Sequence, residues 1–164
     1  EEKKLLPMEF TLKVPNSSKI YLDTAQSIRE QLKEVGITVN LEMIEWATWL
    51  SDVYTNRKYV ASLAGLAGKM EPDAILRRYT STYAKNFTNF NNAKYDTLIE
   101  EAKRTSNEAK QVENYKEAQK ILAEEQAAIF LMDPNTIIAT EKGIEGFEFY
   151  PLPYLNFAKL YFKK

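Results

Sequence analysis

Residues 8–43 alternate, coil and alternate again, and this pattern restricts the fold more than any other feature of the chain. Met8-Glu9-Phe10-Thr11-Leu12-Lys13-Val14 places apolar and polar residues in turn. That is the period of a strand with one buried face. Pro15-Asn16-Ser17-Ser18 ends it. Leu22, Ala25, Ile28, Leu32 and Val35 then recur every three or four residues, the stripe of an amphipathic helix. Gly36 stands where a helix is closed by a residue in the left-handed region. Ile37-Thr38-Val39-Asn40-Leu41-Glu42-Met43 alternates again. Strand, helix and strand with short joints form a βαβ unit, whose strands are parallel and whose crossover is right-handed.

The remaining chain extends the same scheme. Trp46 to Asn56 is expected to be helical, carrying Trp46, Trp49, Leu50, Val53 and Tyr54. Tyr59–Leu63 has the composition of a third, more buried strand and leads into Ala64–Met70, a loop of small residues. Pro72 suits the first turn of a short helix reaching Tyr79. Ser81–Asn92 is punctuated by asparagine and threonine and is expected to be loop. A helix over Ala93–Arg104 presents Tyr95, Leu98, Ile99 and Ala102, with Asp96 in its first turn. The next opens with the capping-box spacing Thr105-Ser106-Asn107-Glu108, buries Val112, Tyr115, Ala118 and Leu122, and ends near Gln126. Strands are expected at Thr136–Thr140, Gly146–Tyr150 and Phe157–Phe162, the last two separated by Pro151-Leu152-Pro153. The fold class is therefore α/β: βαβ-built, with a largely parallel or mixed sheet and helices on both faces.

Composition removes whole classes of chemistry. With no cysteine and no histidine among 164 residues, disulfide frameworks, thiol nucleophiles, serine–histidine triads and the common zinc sites are excluded. Lys and Arg number 22 and Asp and Glu 23, for a net charge of −1. Such a chain lacks the basic footprint of a nucleic-acid binder. No apolar run approaches the length of a membrane span. The charged start Glu1-Glu2-Lys3-Lys4 carries no signal-peptide pattern and fits a piece of something longer.

Four constellations bear on function. The loop Ala64–Met70 holds Gly65 and Gly68 and follows an expected parallel strand. Ligands of open α/β sheets bind outside the carboxyl ends of the strands, and glycine lets backbone approach a ligand closely. It is not a phosphate loop: Met70 follows Gly68-Lys69, and Leu63 stands where the first glycine belongs. The other reading is a tight turn packed under a helix. Trp46 and Trp49 lie three apart at one helix start; aromatic faces suit sugars, peptide side chains or bases, the other reading is core packing, and both cannot easily be functional. Glu100-Glu101 and Glu124-Glu125 are consecutive on helices, point about 100° apart, and belong to solvated faces. The aromatic and lysine-rich Leu155–Lys164 lacks a ribonucleoprotein motif and alternates like a strand against a core. These features point to binding before catalysis, with no cofactor and no metal.

Several segments, in order, resemble the family 5 extracellular solute-binding proteins, the peptide- and nickel-binding receptors of bacterial ABC importers. The segment Ala25-Gln26-Ser27-Ile28-Arg29-Glu30-Gln31-Leu32-Lys33-Glu34-Val35-Gly36-Ile37-Thr38-Val39 is similar to one of theirs. Glu45-Trp46-Ala47-Thr48-Trp49-Leu50 resembles their Glu-Trp helix start, and Glu71-Pro72-Asp73 their acidic-Pro turn. Asn91–Ile99, Tyr115–Glu125 and Gly143–Phe147 resemble the segments that follow. The resemblance implies receptors of two lobes that close on a ligand. Residues 1–129 would be the C-terminal ligand-binding lobe. Residues 130–164 would be a tail that returns to the N-terminal lobe, which is missing here. It also implies a lobe of the periplasmic-binding-protein kind, no enzymatic activity, and a place on the extracellular side of the bacterial cytoplasmic membrane, secreted or lipid-anchored as a lipoprotein.

The ligand-binding residues expected on these grounds are Trp46, Tyr54, Gly65, Leu66, Ala67, Gly68, Lys69 and Met70. Trp46 matches a tryptophan that lines the pocket of oligopeptide receptors, which with the three-residue spacing implies Trp46 partly exposed on the ligand side and Trp49 packed inside. Gly65 falls where those receptors often place another tryptophan, and Gly68 where they place the aspartate that pairs with a peptide's α-amino group; both are departures. The expected partners are a peptide or other small solute, the membrane permease of the importer and the missing lobe, with no nucleic acid. Self-association through the orphaned tail is also expected. The alternative is an α/β enzyme or regulatory ligand-binding domain of the same architecture, for which Lys69 and Glu71 would be the proton-transfer groups.

Overall fold

The computed structural model describes residues 8–135, 137–150 and 156–163, in two compact units that divide between Ala67 and Gly68. In the first unit, β1 (Met8–Pro15) pairs in parallel with β2 (Ile37–Ile44), in register from Met8 opposite Ile37 to Pro15 opposite Ile44. α1 (Lys19–Glu34) is the crossover. The register puts Phe10, Leu12 and Val14 beside Val39, Leu41 and Met43, so the two alternations fall in phase. Leu12, Val14, Val39 and Ala25 form the buried centre, ringed by Phe10, Leu22, Leu32, Ile37 and Leu41. Each such aliphatic side chain contributes roughly 1.5–3 kcal/mol when fully buried. Gly36 closes α1 with φ +81°, and nothing lies within 4 Å of where its Cβ would be. A side chain there would thus strain the backbone alone, by about 1–2 kcal/mol.

The opposite face is polar at its lower end. Asn40 Nδ2 donates to Glu9 Oε1 at 2.7 Å, and Lys13 Nζ stands 3.7 Å from Glu42. Its upper end is covered by α2, which begins as one α-helical turn, Trp46–Thr48, and continues as a π-helix, Trp49–Thr55. The expected helix is therefore present but wound more widely. Asn56 N donates to Ser51 O at 2.9 Å, five residues back, and the Thr55 hydroxyl donates to Leu50 O at 2.8 Å. The chain leaves through Arg57 at φ 54°.

The third strand is shorter than expected. β3 is Ala61–Ser62, parallel to Leu12 and Lys13 of β1. Tyr59 and Val60 lie outside it, and Val60 is exposed. Ala61 and Leu63 pack on the α1 side, whereas Ser62 meets Trp49 on the other. The sheet order is β2-β1-β3, with helices on both faces, as the alternating pattern implied.

The second unit holds α3 (Pro72–Leu76), which tightens into a 3-10 turn at Arg77–Tyr79, α4 (Ala93–Arg104) and α5 (Glu108–Glu124). Its core joins Leu76, Tyr95, Ile99, Ala102, Tyr115, Ala118, Ile121 and Leu122. Tyr95 Oη donates to the Leu76 carbonyl at 2.6 Å, and burial pushes its ionisation well above the ordinary phenol range. The loop before α4 winds around buried Asn86, whose Nδ2 donates to Phe90 O at 2.8 Å and Thr80 O at 3.1 Å. Two expectations for α5 are corrected. Asn107 caps it, accepting from Lys110 N at 3.1 Å, while Thr105 Oγ1 accepts from Asn107 N. Val112 is exposed, because the inward stripe runs through Gln111 instead, whose amide donates to Ala102 O at 2.8 Å near the end of α4.

The tail departs further from expectation. Residues 137–140 and 146–150 form no strand, and β4 (Ile144–Glu145) pairs antiparallel with β5 (Tyr161–Phe162). Gly143 and Gly146, at φ +96° and +82°, bracket β4 and limit it to two residues. A Cβ on Gly146 would sit 1.9 Å from Lys159 O, so the turn requires glycine. Phe157–Lys159 is a 3-10 turn capped by the Asn156 side chain, not the start of a strand. Thr136 and the break at Pro151-Leu152-Pro153 lie outside the described residues. No helix among the described residues is long and apolar enough to cross a membrane.

Candidate functional site

Strand order locates a crevice. From β1 the chain moves to β2 on one side; from β2 it crosses back over β1 to β3 on the other. The connections therefore leave the carboxyl ends of β1 and β2 toward opposite faces, α1 on one and α2 on the other, and ligands of open α/β sheets bind in the crevice outside such strand ends. Its rim is Asn16 after β1, Glu45 and Trp46 after β2, and Leu63 to Gly65 after β3.

Each rim group is held from below. Asn16 N donates to Ile44 O at 2.9 Å, and Asn16 Nδ2 donates to Glu45 Oε1 at 2.8 Å, tying the ends of β1 and β2 together. Trp46 lies flat on Trp49, with ring centroids 5.0 Å apart and planes 6° from parallel. Tyr54 stacks against Trp49 at 5.9 Å. In a π-helix residues five apart lie nearly above one another, which is how Trp49 and Tyr54 meet. Trp49 is 1% exposed, and its indole N–H donates to Ser62 Oγ at 2.9 Å; the Ser62 hydroxyl donates in turn to Lys13 O at 2.8 Å. Trp46 is 38% exposed, so the expected split between an outer and an inner tryptophan is present.

The glycines of the loop differ from one another. A Cβ on Gly65 would lie 2.8 Å from Tyr21 Oη. The Tyr21 ring, from the first turn of α1, thus takes the room of a side chain at residue 65. Its hydroxyl lies 3.5 Å from the Gly65 carbonyl oxygen, at the limit of a hydrogen bond. Around Gly68 nothing approaches within 4 Å. Leu66 and Met70 are exposed. Of the sequence-derived site residues, Trp46, Tyr54, Gly65, Leu66 and Ala67 belong to the first unit, while Gly68, Lys69 and Met70 open the second.

Asn16, Tyr21, Glu45 and Ser62 escaped the sequence reading. The strand-end rule applied to β3 applies equally to the ends of β1 and β2, and would have drawn in Asn16 and Glu45. No set of three or more metal-ligating side chains gathers among the described residues. A small cavity of about 170 Å³ in the second unit is lined by Ile138, Phe147, Phe157 and Leu160 among others and includes none of the expected site residues.

Comparison with known proteins places this architecture. Residues 1–87 match the family model of bacterial extracellular solute-binding proteins, family 5. The oligopeptide-binding protein AppA of Bacillus subtilis is 30% identical over 145 residues, which cover 87% of this chain and 27% of AppA. The chain thus spans about a quarter of that curated relative. The structure of AppA in complex with a nonapeptide superposes with a TM-score of 0.81 at 29% identity, over 96% of this chain and 32% of that one. DppA from Helicobacter pylori in complex with the peptide STSA shares the fold, with a TM-score of 0.78 at 21% identity over 96% of this chain and 31% of DppA. The family match covers more than half of the chain and the fold agrees with it throughout; the chain belongs to the family 5 bacterial extracellular solute-binding proteins.

Proposed function

We propose that this chain supplies one wall of the solute site in a receptor of an ABC importer, and that the solute is an oligopeptide or similar small molecule. The observation that carries this reading is Trp46, laid open at the strand ends on a stack anchored through Trp49 to Ser62. An aromatic plate on a rigid support binds side chains or backbone with little loss of conformational entropy. The relatives named for peptides support the choice of solute. Gly65, Leu66, Ala67, Gly68, Lys69, Met70 and Tyr54 complete the proposed set. In this reading the chain takes part in binding and release without turnover: without histidine or cysteine it lacks the usual nucleophile–base pairs.

The same reading assigns the partners. Closure on the solute needs a second wall, which the rest of the polypeptide would supply, and delivery needs a membrane permease. The place of action is the extracellular side of the bacterial cytoplasmic membrane, with the receptor secreted or lipid-anchored. Residues 130–164 are the stretch that reaches the missing lobe. Its exposed Phe130, Ile137, Phe149, Phe157 and Phe162 support this, being too apolar to face water at no cost.

Native mass spectrometry of the full-length receptor tests the proposal. After incubation with a tryptic peptide mixture, a bound species of peptide mass, lost on denaturation, is the expected result. Bare protein throughout would contradict it.

A further inference from the structure

Glu45 stands at the start of α2 yet its side chain does not cap the helix. It turns instead to Asn16, whose Nδ2 donates to Glu45 Oε1 at 2.8 Å. Asn16 is itself fixed through its backbone N–H to Ile44 O at 2.9 Å. The carboxylate is therefore oriented by a neutral partner and makes no ion pair among the described residues. Glu42, three residues earlier in β2, differs: it stands 3.7 Å from Lys13.

The neighbour of Glu45 in sequence is Trp46. One face of its ring is covered by Trp49 at 5.0 Å, and the residue remains 38% exposed. Trp49 cannot drift, because its N–H is bound to Ser62 and the residue is buried. An open indole face and an oriented carboxylate on consecutive rim residues select the same chemical group. The ring quadrupole attracts a cation. The carboxylate forms a charge-assisted hydrogen bond with an N–H donor.

We propose that Asn16, Glu45 and Trp46 form a subsite for an ammonium or guanidinium group of the solute. This deepens the solute-binding reading and rests on it. Asn16 positions the carboxylate, Glu45 takes the cation's N–H, and Trp46 covers its apolar stem. The loop on the other side of the crevice offers no acid: Gly65, Leu66 and Ala67 are apolar.

Calorimetry on the full-length receptor tests this with two pools of tetrapeptides, identical except that one carries lysine where the other carries norleucine. The wild type is expected to prefer the lysine pool by about tenfold, the effect of one well-placed charge-assisted bond. Glu45→Gln, which keeps the shape and the bond from Asn16, is expected to abolish that preference while leaving the norleucine affinity within about threefold. Trp46→Leu is expected to weaken both pools. No preference in the wild type, or an undiminished one in Glu45→Gln, overturns the subsite while leaving solute binding intact. Failure of both pools to bind overturns the solute-binding reading together with the subsite.

Discussion

The hydroxyl of Tyr21 occupies the ground on which a side chain at residue 65 would begin: a Cβ on Gly65 would lie 2.8 Å from Tyr21 Oη. The contact reaches from the first turn of α1 to the end of β3, and it limits what the crevice can carry at that point. Gly65→Ala must push the ring aside, at a cost near the lower end of the roughly 1–3 kcal/mol of overpacking. In a Tyr21→Ala background the same change is expected to be neutral or stabilising by about 0.5 kcal/mol, since it then only restricts the unfolded chain. A double-mutant cycle by urea denaturation reads the coupling; strictly additive effects would contradict the contact.

Ser62→Ala should remove the acceptor for the buried Trp49 indole and the donor to the Lys13 carbonyl. Taking its acceptor from a buried N–H costs about 1–3 kcal/mol. Chemical denaturation is expected to show a loss in that range, with Trp46 more mobile because its support has loosened. A loss below the error of the measurement would mean that the stack does not depend on Ser62.

Alkali should weaken the second unit. Burial raises the ionisation of Tyr95, and also of Tyr79 and Tyr115, above the free phenol value. Below about pH 10 both folded and unfolded chains keep the phenol proton, and stability does not change on this account. Above it the unfolded chain loses the proton first, so stability falls as pH rises, by up to about 1.4 kcal/mol per unit for each such group. Tyr95→Phe gives up the bond to Leu76 O, about 1 kcal/mol at neutral pH. Its stability is nevertheless expected to decline less steeply above pH 10. Equal slopes for the two proteins would contradict the burial argument.

The tail should make this chain self-associate. Ile137 is 90% exposed and Phe162 70%, and among the described residues β4–β5 is a two-stranded pair with no further strand on either edge, a form marginal in water by itself. Sedimentation is expected to show association of the 164-residue chain and a monomer for a version ending at Ala128. Two monomers of equal stability would contradict the account of the tail.

What could be read from the sequence was local and periodic. β1, α1, Gly36 and β2 follow from spacing alone, and α4 spans Ala93–Arg104 as its stripe and first-turn acid imply. What could not be read depended on partners far along the chain. The π-winding of Trp49–Thr55 is set by hydrogen bonds such as Thr55 to Leu50, which leave no mark in an apolar stripe. Phe157–Phe162 alternates like a strand, yet Asn156 folds its first half into a turn. Val112 and Gln111 exchange places because Gln111 meets an α4 carbonyl. In the site, the family resemblance together with the three-residue spacing separated Trp46 from Trp49, but only the position of Ser62 on β3 shows how the inner one is held. Asn16, Tyr21 and Glu45 gain their roles from the strand order β2-β1-β3, a nonlocal property.

Photo-crosslinking tests the central claim most directly. The full-length receptor would be irradiated with a pool of diazirine-labelled peptides, digested, and the adducts mapped by mass spectrometry. Within this chain the account predicts adducts at the strand ends: Asn16 to Ser18, Glu45 and Trp46, and Leu63 to Ala67, weakened by competition with unlabelled peptide. Competable adducts confined to the polar sheet face at Glu9, Thr38 and Asn40, or to the outer faces of α4 and α5, would contradict it.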